Sequence, residues 1–90
     1  MPHTTKNKTR LLARIKRIQG QLGAVSNSLE NGDECYIVLQ TLAGARGALQ
    51  GLIGEIIEGH IREHVVAAKT AKDASEAGEQ TIEIMKSFWR

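Results

Sequence analysis

The sequence holds one cysteine, one proline and only three aromatic residues, one each of tryptophan, tyrosine and phenylalanine, in 90 positions. A lone cysteine excludes an intrachain disulfide and any zinc finger built from paired cysteines, and nothing in this usage points to secretion. The proline is Pro2, so no later segment contains the residue that most readily breaks a helix. With so few aromatics, a core has to be aliphatic. No apolar run approaches the roughly 18 residues of a membrane span, and no signal-peptide pattern opens the chain, so the expected compartment is the cytoplasm. Glycine-rich phosphate loops after a strand, a Walker lysine, and a serine, histidine and acid set spaced for nucleophilic catalysis are also missing, so an enzyme is not expected. Acidic residues are absent before Glu30, whereas Lys6, Lys8, Arg10, Arg14, Lys16 and Arg17 all precede it. The net charge of +2 is therefore small but unevenly spread.

What is present is helical periodicity. From about Lys6 to Glu30, the residues Leu11, Ile15, Ile18, Leu22, Val25 and Leu29 alternate spacings of four and three. This heptad-like stripe predicts a helix packed lengthwise on others. Thr4 or Thr5 is placed to cap it. Arg10, Arg14 and Arg17 form a ridge on another face, with no carboxylate of the same helix in reach, so its charge is left for phosphates or for solvent. Asn31-Gly32-Asp33 ends the helix: Gly32 suits a left-handed stop and Asp33 suits capping the next start.

A second, longer segment runs from Glu34 to His64. Val38, Leu42, Ala45, Leu49, Leu52 and Ile56 recur at helical spacing, which predicts one continuous helix. His60 and His64 are one turn apart on one face, where two imidazoles can hold one metal ion. Cys35 lies 25 residues before His60, and at about 1.5 Å per residue a continuous helix separates them by roughly 37 Å. If the thiol and the imidazoles share a site, Cys35 comes from a second copy packed antiparallel. Gly44, Gly47, Gly51 and Gly54 share a face with spacings of three, four and three. Each costs about 1 kcal/mol against alanine in a helix interior, and close approach of another helix is the expected offset.

At the start of the chain, Pro2 follows a methionine that is removed when the second residue is small. Its secondary amine is then both a potential ligand and a nucleophile, set against the plain reading of Pro2 and His3 as a solvated tail. Beyond His64, the small and polar stretch 67–75 reads as a loop or a frayed continuation. From about Ala77, Ile82, Met85 and Trp89 recur at helical spacing beside Ile84 and Phe88, predicting a short third helix whose aromatic end packs on the bundle. No repeat or second domain is evident, so residues 1–90 are expected to form one domain.

Arg17-Ile18-Gln19-Gly20-Gln21, Cys35 with Val38-Leu39-Gln40, Ala45-Arg46-Gly47-Ala48 with Gly51-Leu52, and Gly59-His60 with Glu63-His64 together resemble the CsoR/RcnR/FrmR repressors. The resemblance runs from Pro2 to about His64 and more loosely over the last helix. It implies an all-α, three-helix protomer, an antiparallel four-helix-bundle dimer and a disc-shaped dimer of dimers, that is, a homotetramer. It also implies a repressor that binds operator DNA without a helix-turn-helix and releases it when an inducer occupies the subunit interface. The implied DNA-contacting positions are Arg14 and Arg17, with Lys16 and Arg10 as added phosphate contacts.

Members of that family differ in inducer. Its nickel and cobalt sensors use an N-terminal histidine, a cysteine and two histidines, which match His3, Cys35, His60 and His64, with Glu34 and Glu63 beside them. Its copper sensors carry a second cysteine where this chain has His64, and a nitrogen-rich set suits nickel or cobalt better than Cu(I), with zinc a further candidate. Its formaldehyde sensors share Pro2 and Cys35, which implies a methylene bridge between the proline amine and a neighbouring subunit's thiolate. This chain departs from them at His64, where they tend to carry glutamate, and from the nickel sensor's usual start at Pro2. Nickel or cobalt is the expected inducer and formaldehyde the alternative. A third reading is a helical metal-buffering oligomer with no role on DNA.

Overall fold

Lys8–Glu30 forms helix α1, Cys35–Ile61 helix α2, and Ala71–Phe88 helix α3, with a single π-helical turn, Arg62–Val66, following α2. The computed structural model describes residues 7–88, and Pro2, His3, Thr4, Thr5 and Trp89 lie outside them. No strand occurs among the described residues, and the chain is all-α with three helices, as the periodicity predicts. The chain divides into two compact units, Asn7–Ile53 and a second that begins at Gly54.

Within Asn7–Ile53, α1 starts at Asn7, whose carbonyl accepts the Leu11 N–H at 3.0 Å. It stops in a motif that satisfies the last carbonyls of the helix. Asp33 N–H donates to Ser28 O at 3.0 Å and Gly32 N–H to Leu29 O at 3.2 Å, with Gly32 at φ 69°, the left-handed stop for which glycine is suited. Asp33 does more for the helix it leaves than for the one it precedes: its carboxylate accepts the Ser28 hydroxyl at 2.7 Å. The Glu34 carbonyl opens α2 by accepting the N–H groups of Ile37 and Val38.

The two helices of this unit run antiparallel. Gln21 lies beside Gly44 and Arg14 beside Gly51, so a step of seven down α1 matches a step of seven up α2. The buried apolar residues repeat by seven on both: Leu11, Ile18 and Val25 against Val38, Ala45 and Leu52. Between them on α1 stand Arg14 and Gln21, half-buried, and Ser28, buried. The α1 side of the seam is thus half polar. The expected stripe is split: Leu11, Ile18 and Val25 enter the seam, whereas Leu22 and Leu29 are 49% and 64% exposed. On α2, Leu42 and Leu49 are likewise 40% and 46% exposed. The reason is geometric. Two helices meeting along one line bury only a narrow seam, and the neighbouring apolar positions need another surface.

In the second unit, α3 packs against the π turn. It begins earlier than the apolar pattern predicts, because Thr70 caps it: the Asp73 N–H donates to Thr70 Oγ1 at 3.0 Å and the Ala74 N–H to Thr70 O at 3.1 Å. Its buried face is also not the expected one. Ala77 and Thr81 are buried, with Thr81 Oγ1 donating back to Ala77 O at 2.7 Å, while Ile82, Ile84 and Phe88 are exposed.

Candidate functional site

His60 belongs to the last turn of α2 and His64 to the π turn that follows. In that turn the Ala67 N–H donates to Arg62 O, five residues back, at 3.0 Å, the wider winding often found at functional positions. The imidazole centroids of His60 and His64 are 4.8 Å apart with planes tilted by 46°. Both rings line a cavity of about 470 Å³ that also receives Glu63, Asp73, Glu76 and Gln80. His60 lines a second, mostly apolar groove of about 690 Å³ with Ile56, Ile57, Thr81 and Ile84. The surrounding surface charge is partly paired: Arg62 and Glu58 meet at 3.0 Å on an exposed face, an arrangement worth little to stability.

The donor chemistry fits a metal only in part within one chain. His60 and His64 supply two nitrogens, but the described residues contain no group of three or more His, Cys, Asp or Glu side chains placed to hold an ion. Cys35 is a free, exposed thiol at the first position of α2. α2 runs unbroken from Cys35 to Ile61, with Cys35 at its first position and His60 in its last turn. Glu34 is exposed beside Cys35, and Glu63 is half-buried beside the histidines. His3 and Pro2 lie outside the described residues.

Of the basic residues on α1, Arg10, Lys16 and Arg17 are exposed. Arg14 departs from the expected solvated ridge. It is half-buried in the seam, its Nη2 atom 2.6 Å from where a Cβ on Gly51 would stand. Sequence reasoning missed the pairing of Arg14 with Gly51 and of Gln21 with Gly44. The signal was present as polar residues at 14, 21 and 28 and glycines at 44 and 51, both in steps of seven. Gln21 Oε1 is buried and meets no hydrogen-bond partner among the described residues.

These three helices, with paired imidazoles at one end and a basic first helix, place the chain in a defined class: it belongs to the metal-sensitive transcriptional repressors, whose family model matches residues 7–88. That is a family of repressors that act on DNA, not of enzymes. Among individual relatives, the chain is 38% identical to the transcriptional repressor RcnR of Citrobacter koseri, over 98% of each chain. It is 42% identical to a Serratia marcescens protein described by its position in the bioA 5′ region, over the full length of both. Its fold matches the solved structure of a variant of the formaldehyde-responsive regulator FrmR from Salmonella enterica serovar Typhimurium. The TM-score is 0.85 and the identity 33%, over 97% of this chain and 99% of that one. No helix among the described residues is long and apolar enough to cross a membrane.

Proposed function

We propose that this metal-sensitive repressor releases operator DNA when nickel or cobalt is held by His3, Cys35, His60 and His64, with Cys35 supplied by a neighbouring subunit. The observation that carries this reading is the His60–His64 pair at 4.8 Å, with His60 in the last turn of a helix that begins at the sole cysteine. One protomer holds two nitrogen donors together, and an antiparallel partner brings its thiol to them. Glu34 and Glu63 are the carboxylates nearest these donors in sequence and complete or orient the set. A nitrogen-rich set with one sulfur suits nickel or cobalt, and zinc less selectively.

The half-exposed Leu22, Leu29, Leu42 and Leu49 support the antiparallel bundle. Fully burying an exposed leucine is worth about 1.5–3 kcal/mol, and covering these half-exposed ones gains roughly half of that each, so a second copy on this face offsets the thin core of a 90-residue chain. Two such dimers make the homotetramer, which acts as a single repressor domain per chain in the cytoplasm. Arg14 and Arg17, with Lys16 and Arg10, meet operator phosphates, and the assembly repeats these contacts several times. An inducer that links the end of one α2 to the start of its partner releases DNA only through its different affinity for the two packings. Couplings of about 1–3 kcal/mol suffice for a five-fold or larger change.

Likeness to a formaldehyde-responsive regulator favours a second reading, in which the Pro2 amine and a neighbour's Cys35 thiolate are joined by a methylene bridge. Substitutions separate the two. Under the metal reading His64→Ala abolishes release by nickel and cobalt; under the formaldehyde reading it leaves release by formaldehyde intact. Cys35→Ala abolishes release under both, and a Cys35→Ala protein that still lets go of DNA contradicts both.

A further inference from the structure

Glycine in the interior of a helix needs a reason, because alanine there is always more favourable. Gly51 sits in α2 at ordinary helical φ, Gly32 being the positive-φ glycine among the described residues, so its backbone does not demand glycine. The space beside it does. A Cβ at Gly51 would stand 2.6 Å from Arg14 Nη2 and 3.8 Å from Arg14 Cζ, whereas among the described residues a Cβ at Gly47 or Gly54 would meet nothing within 4 Å and one at Gly44 only Gln21 Nε2 at 3.9 Å. Among these four glycines, Gly51 alone has its missing side chain replaced by another residue's head group.

We propose that Gly51 is a positioning residue for DNA binding: it forms the seat that holds the Arg14 guanidinium against α2, at a fixed place on the surface that meets the operator. The proposal rests on Arg14 being a DNA contact. A long arginine side chain free in solvent loses its rotamer freedom when it docks on a phosphate, and a seat that has already ordered it lowers that cost. The seat also lies on α2, the helix that carries Cys35 at its start and His60 in its last turn, so a sliding of α2 along α1 alters Arg14 directly. Because the obstructing atoms are the tip of a flexible side chain, a methyl group at this position moves Arg14 and leaves the helices in place.

The test compares wild type, Gly51→Ala, Arg14→Ala, the double variant, and Gly78→Ala as a control glycine with nothing within 4 Å of its Cβ position. Operator affinity is measured across a salt series, and thermal melting is recorded for each. Gly51→Ala is expected to stay folded, melting no lower than wild type, yet to bind the operator about five-fold more weakly. Arg14→Ala also binds more weakly, the double variant no more weakly than Arg14→Ala, and Gly78→Ala like wild type. Equal or tighter binding by Gly51→Ala overturns the proposal. So does an undiminished Gly51→Ala effect in the Arg14→Ala background, or an unfolded Gly51→Ala protein, since either means that something other than the Arg14 tip needs the space. Unchanged binding by Arg14→Ala overturns the underlying reading of Arg14 itself and is recognised separately.

Discussion

His60 and His64 face each other with ring centroids 4.8 Å apart, across the join where α2 gives way to the wider Arg62–Val66 turn. Replacing His64 with alanine leaves one imidazole where two stood and removes a nitrogen donor without disturbing α2. The wild-type protein should lose operator affinity by about five-fold or more when nickel or cobalt is added, and the His64→Ala protein should show almost none of that change. Operator titration at fixed metal concentration measures it.

Gly32 at φ 69° and the Ser28–Asp33 hydrogen bond of 2.7 Å together close α1. Gly32→Ala forces a Cβ into the left-handed region at a cost of about 1–2 kcal/mol. Ser28→Ala removes the donor to a carboxylate and costs about 1.5 kcal/mol or more. Urea unfolding at matched protein concentration should show both losses, and concentration has to be matched because assembly contributes to stability.

The face bearing Leu22 and Leu49 is expected to be covered by a second copy. Leu22→Asp buries a charge in that interface, which a dimer does not tolerate without a partner. Sedimentation should show wild type as a tetramer and Leu22→Asp as smaller species that bind the operator weakly, because the repeated basic helices are no longer linked.

Arg17 is exposed on α1 and has the simpler role. Arg17→Ala should weaken binding to operator and to unrelated DNA alike, and lower the slope of log affinity against log salt by about 0.9 for each phosphate contact removed. A variant that loses affinity for the operator alone would point to base reading instead.

The sequence made α1 and α2 legible because their apolar residues keep a period of three and four over many turns. The division of the stripe was hidden. Arg14 and Gln21 look like surface residues in a sequence, and they enter the seam only because α2 offers Gly51 and Gly44 opposite them. The start of α3 was missed for a different reason: Ala71, Ala74 and Ser75 show no apolar stripe, while the true signal was local, Thr70 followed three residues later by Asp73. The π turn has no signature in composition. As for the site, the His60–His64 pairing followed from spacing, but the cavity that also receives Asp73 and Glu76 depends on how α3 packs on that turn, which periodicity does not encode.

The central claim is that a metal ion shared between subunits triggers release. The direct test is to titrate the reduced, anaerobic protein on its operator with nickel, cobalt and formaldehyde separately, recording absorption spectra and intact mass beside DNA release. Release by nickel or cobalt, with a thiolate charge-transfer band and no added mass, is the predicted result. Release by formaldehyde alone, with the mass of one added carbon per bridge, would contradict it and assign the switch to Pro2 and Cys35.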